Sequence, residues 1–179
     1  MTAEELLDRL EKEGLSVRSS EDPRAIQRVM PLEDFSSAIR TSAMSALGSY
    51  LAFFCLENAV RELVAERMLE NHGSGWWVKV APTAIRDKVA RRQESEGQNR
   101  WHIARGAGEI YYTDFGDLRL LIQANWTDFS DFFPDQNWVM ARLSELEASR
   151  NVIAHMNVLD AREEGRLRLY LQDWVRQVG

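Results

Sequence analysis

Three side chains near the C-terminal end of the chain have types and spacing suited to anion and proton chemistry. They are Arg150, Asn151 and His155, within the stretch Arg150-Asn151-Val152-Ile153-Ala154-His155. Arginine stays charged and offers a planar fork that donates two parallel hydrogen bonds to a phosphate or carboxylate. Histidine, with an unperturbed pKa of about 6.5, can give or take a proton near neutrality. Asparagine adds an amide that can orient either partner. On a helix, Asn151 and His155 are four apart and share a face. Arg150 instead continues the series Leu143, Leu146, Arg150, Ile153, whose spacing traces the stripe a helix buries. A charge on that stripe requires a partner. Two readings follow: Arg150 snorkels or pairs with a buried carboxylate while His155 merely ends the helix, or the three residues form a site. His72, His102 and His155 are the chain's histidines, and none is paired at a ligand spacing, so neither a metal nor a cofactor is expected.

The elements that must position these residues read as helices. Residues 2–13 predict a short amphipathic helix capped by Thr2 and Glu5 and stopped by Gly14. With the polar connection that follows, residues 1–30 form an accessory helical arm. From about Asp34 to Glu70 there is no proline, and apolar residues recur at helical spacing. This predicts one long central helix, or two with a kink near Gly48. Cys55 sits in its apolar middle and is expected in the core. Trp76 and Trp77 follow a glycine loop and either cover the core or stack on bases. Pro82 opens a helix to about Arg92, with Ile85 and Val89 inward, and 93–99 is a polar loop. Residues 109–112 look extended. Thr113 or Asp114 caps a helix to about Asn125, with Leu118, Leu121 and Ile122 on its apolar face. Another turn is expected over 128–133. Asp135 caps the helix that carries Arg150, and a last helix covers about 161–177. Four to five principal helices without strand alternation predict an all-α compact bundle over residues 31–179.

The chain has 179 residues and is 45% hydrophobic and 28% charged, which fits an ordinary globular protein rather than a disordered one. No basic start leads into an apolar stretch, and no unbroken apolar run reaches about 18 residues. The expected location is the cytoplasm, away from membranes. The net charge of −6 argues against a nucleic-acid binder held by bulk electrostatics. Residues 79–105 depart from it, with seven basic side chains against three acidic ones, a net of +4 that leaves −10 on the remainder. Arg86, Lys88, Arg91, Arg92, Arg100 and Arg105 are therefore the candidates for contact with an RNA backbone, against the alternative of a solvated face.

The pattern arginine, asparagine, three residues, histidine resembles the signature of the HEPN superfamily. The upstream text Tyr112-Thr113-Asp114-Phe115-Gly116-Asp117-Leu118, Asn125-Trp126 and Phe129 is similar to a HEPN branch found in transcript-surveillance endoribonucleases and bacterial defence proteins. The likeness covers roughly residues 35–179. It implies a metal-independent endoribonuclease that cleaves single-stranded RNA by attack of the 2′-hydroxyl on the adjacent phosphate. Arg150 would clamp the phosphate, His155 would act as acid or base, and Asn151 would orient the reacting groups. One protomer has one motif histidine, so a homodimer with the site at its interface is expected. Some HEPN toxins carry a regulated tyrosine two residues after the histidine; Asn157 stands there, so that regulation is not carried over. The role implied is that of a toxin or defence effector. The alternative is a non-catalytic interaction or nucleotide-binding module in a defence or toxin–antitoxin complex, with an antitoxin or other defence-system protein as partner. Asp114 and Asp117 are expected to be caps rather than catalytic acids.

Overall fold

The proline-free stretch folds as one unbroken helix in the computed structural model, which describes residues 32–98, 101, 103–133 and 135–178. The expected arm over residues 1–30 lies outside the described residues. The chain divides into two compact units, Met1–Ala43 and Met44–Gly179. Of the first, the described part is a 3-10 turn, Leu32–Asp34, and the start of helix α1.

Helix α1 spans Ser37–His72 and is followed by α2 (Trp76–Val80), α3 (Thr83–Gly97), α4 (Phe115–Ala124), α5 (Trp126–Phe129), α6 (Gln136–Ala154) and α7 (Ala161–Val178). A 3-10 turn, Glu109–Tyr112, precedes α4. No strand occurs among the described residues, so the fold is all-α as expected. In the second unit, Leu56, Val60, Val64 and Met68 of α1 meet Phe115, Leu118, Leu121 and Ile122 of α4, and Val139 and Leu143 of α6, in one buried core. α4 packs on α6, and α6 on α7. Burying side chains of this kind contributes about 1.5–3 kcal/mol each.

Several expectations are corrected. The first half of α1 is apolar but not enclosed: Met44, Leu47, Tyr50, Leu51 and Phe54 are exposed, and only from Phe53 onward does the helix enter the core. Cys55 is exposed rather than buried. The polar segment after Arg92 is not a loop, because α3 continues to Gly97. Its residues include the helix formers Gln93, Glu94 and Glu96, which carry no apolar signal. The extended-looking 109–112 is a 3-10 turn. Trp76 and Trp77 cover the core, edge to face with ring centroids 5.3 Å apart.

Candidate active site

Helix α6 is started by Asp135, whose side chain accepts from the Trp138 amide at 2.8 Å. Val139, Leu143, Leu146 and Ile153 form its buried stripe. Arg150 lies on that stripe, as the spacing requires, and its partner is Glu57 of α1. Nε donates to Oε2 of Glu57 at 3.1 Å, and the Glu57 side chain is only 16% exposed. The two Nη groups of Arg150 have no hydrogen-bond partner among the described residues, and neither is sealed from solvent.

Glu57 is held from its other side by Arg61, whose Nη2 donates to Oε1 at 3.0 Å. Arg61 is itself buried. Three more of its donors go to Oδ1 of Asn58 at 2.6 Å, the Ile110 carbonyl at 3.3 Å and the Thr113 carbonyl at 3.5 Å. Arg61 therefore ties α1 to the 3-10 turn, while Glu57 ties it to Arg150. Sequence reasoning missed both residues. Their helical spacing of four was visible as an ion pair, but ordinary surface pairs share that signal.

Asn151 and His155 are exposed, and their side chains have no partner among the described residues. His155 is the C-cap of α6. The helix stops there because the Met156 amide donates to the Ile153 carbonyl and the Asn157 amide to the Val152 carbonyl, at 3.0 and 3.1 Å. This is the paired closure that normally places glycine in the left-handed region. Here the residue is Met156, at φ 59°. Arg150 thus has the carboxylate partner and His155 the helix-ending position of the simpler reading. The exposed amide and imidazole and the open Nη edge remain available to a ligand.

The basic segment is sorted by its partners. Lys88 donates to Asp114 and Asp117 at 2.8 Å each, and Arg92 contacts the same two carboxylates at 2.9 and 3.3 Å. Those aspartates also form the capping box that starts α4, as expected of caps. Burial disfavours the ionised form of Asp114, but hydrogen bonds from Lys88, Arg92 and the Asp117 backbone outweigh it and hold the carboxyl well below its ordinary range. The reciprocal balance at Lys88 is burial opposed and exceeded by its two carboxylate partners, which raises its pKa. Arg86 donates to the Val78 carbonyl at 3.2 Å and to Thr83 at 3.1 Å. Arg105 pairs with Glu96 at 3.5 Å. Arg91 is exposed and has no partner among the described residues. Arg100 lies outside them. Lys88, Arg91, Arg92 and Arg105, with Ser95, Glu96 and Ile103, line a cavity of about 600 Å³. Among the described residues, no three His, Cys, Asp or Glu side chains gather as a metal-ligand cluster.

An all-helical domain with an anchored arginine, an adjacent amide and a histidine at the end of one helix defines a class of site suited to an anionic ligand. The Swt1-like HEPN family model matches residues 51–179, and the chain belongs to that family. No curated protein and no solved structure matches it. The match begins within α1, just ahead of Glu57, and takes in every residue of the candidate site.

Proposed function

We propose that this protein is a metal-independent endoribonuclease acting on single-stranded RNA, as a toxin or defence effector. The observation that carries the reading is the division of labour in Arg150. Its Nε is fixed by Glu57, which leaves both Nη groups for a phosphate beside the exposed Asn151 and His155. Two parallel charge-assisted hydrogen bonds from the Nη edge would neutralise the phosphorane formed when the 2′-hydroxyl attacks. His155 transfers the proton, and Asn151 orients the phosphate or the imidazole. The chain has one motif histidine, so the second proton-transfer group comes from a second copy of the chain, with the cleft between them. Of the basic segment, Arg91, which has no partner among the described residues, and Arg86, which has no carboxylate partner there, keep charge to offer the RNA backbone.

A competing reading has its own support. Glu57 already neutralises Arg150, as in a purely structural pair, and the domain would then serve as an interaction or nucleotide-binding module with an antitoxin or other defence protein. Cleavage of mixed-sequence single-stranded RNA in EDTA separates the two. Wild type should yield products ending in a cyclic phosphate, whereas Arg150→Ala and His155→Ala should not. Folded wild-type protein that leaves the RNA intact would transfer the weight to the module.

A further inference from the structure

The 3-10 turn that Arg61 grips also presents an aromatic ring to solvent. Tyr111 is 46% exposed, whereas its neighbours Ile110 and Tyr112 are buried. The ring is not free to swing. The backbone of Gly106 lies against it so closely that a Cβ there would come within 2.5 Å of Cγ of Tyr111. The Arg61 guanidinium sits 6.0 Å from the ring centroid. Arg61 is held in place, because four of its five N–H donors are engaged by Glu57, Asn58 and the carbonyls of Ile110 and Thr113. One buried residue thus fixes two things at once: the carboxylate that aims Arg150 and the turn that displays Tyr111. Tyr111, Arg61, Glu57 and Arg150 form one continuous chain of contacts that links the ring to the guanidinium.

From this juxtaposition we propose that Tyr111 is a base-stacking platform, on which a nucleotide flanking the phosphate at Arg150 lays its base. The inference rests on the reading of single-stranded RNA as ligand. An aromatic face accepts any base, so the platform sets register rather than sequence. Stacking of this kind is worth enough per base to change binding by about tenfold or more. A rigidly held ring loses little freedom when the base arrives, which favours a fixed platform over a mobile one.

The test uses the full chain and a short single-stranded RNA carrying one abasic residue, moved position by position. Binding is read by fluorescence anisotropy on an uncleavable 2′-O-methyl version, and KM and kcat on the cleavable strand. Wild type should lose about tenfold in affinity when the abasic residue occupies one register and little at the others. Tyr111→Ala should bind the intact strand about tenfold more weakly and show no preferred abasic position, with kcat little changed, while Tyr111→Phe behaves as wild type. Tyr111→Ala with wild-type affinity and an unchanged abasic profile would overturn the platform, as would a wild type that binds no RNA. A wild type that binds with the predicted register but does not cleave would sink the nuclease reading and leave the platform standing.

Discussion

Arg150 commits Nε to Glu57, and that single hydrogen bond decides where its other donors point. A long, flexible side chain becomes a pre-aimed one, so little ordering remains when a phosphate arrives. The Glu57 carboxylate sits between two guanidinium groups, largely out of water. Glu57→Gln keeps the shape and removes the charge. It should lower stability by about 1–3 kcal/mol and cut RNA cleavage by up to about 10²-fold through misplacement of Arg150. His155→Ala should separate the two effects: no cleavage, but a melting temperature near wild type, because an exposed side chain without partners contributes little. Equal melting and equal turnover for Glu57→Gln would show that the carboxylate neither braces the fold nor aims the arginine. Next to the histidine, Met156 holds a left-handed conformation while 91% exposed. A side chain there costs about 1–2 kcal/mol that glycine avoids, and it buries almost nothing in return. Met156→Gly should therefore raise the melting temperature by about 2–8 °C, given a domain of this size. A fall would mean that the side chain packs against something in the working assembly.

The elements meet at the segment from Ile110 to Leu118, which receives Arg61 from α1 on one side and Lys88 and Arg92 from α3 on the other. Asp114 does double duty there as helix cap and counter-charge. Its folded carboxyl titrates below the unfolded value of about 3.9. The stabilisation is therefore complete above that value and is lost as pH falls through the lower folded pKa. Asn can still cap but cannot neutralise two cations. Asp114→Asn should thus melt below wild type at neutral pH and lose less on acidification between about pH 4 and pH 2. Parallel melting curves for the two proteins across that range would remove Asp114 from the acid sensitivity. This segment also marks how far the sequence could be read. The caps at Asp114 and Asp135 and the inward faces of α3, α4 and α6 were legible, because each is decided by residues within a turn or two of one another. The Glu57–Arg150 pair was not, since its partners stand 93 positions apart and no local pattern joins them. The end of α3 was misread because apolar periodicity is silent where a helix is polar all round. The 3-10 turn was misread because its Ile-Tyr-Tyr run has strand propensity, which the carbonyl contacts from Arg61 override.

At the scale of the molecule, one surface is out of keeping with a net charge of −6. Met44, Leu47, Tyr50, Leu51 and Phe54 project from α1 with exposures from 47% to 59%. At helical spacing they occupy one arc, and Asn58 and Arg61 continue that arc one and two turns further along. The opposite side is secured, with Ser49 donating to Glu164 of α7 at 3.3 Å. Roughly 500 Å² of apolar surface is left open, more than scattered surface residues provide. A standard interface takes about 800 Å² from each partner, so the stripe could supply most of one. By length and composition α1 could also cross a membrane, with a mean hydropathy of 1.2 over its most apolar stretch, 22% of it buried. Lipid is the poorer fit. The same helix carries Glu57, Arg61, Glu62 and Glu66 within a few turns, and the stripe runs directly into the cluster that aims Arg150. A second copy would supply the second histidine that the proposed chemistry requires. Replacing Leu51 and Phe54 together by glutamate should convert a dimer into a monomer in light scattering after size exclusion, while the helical circular dichroism is retained. Cleavage should fall with it, and mixing with a His155→Ala protein that keeps the stripe should not restore it. A double variant that stays dimeric would move the interface elsewhere. Wild-type protein that floats with liposomes and stays monomeric without them would assign the stripe to lipid.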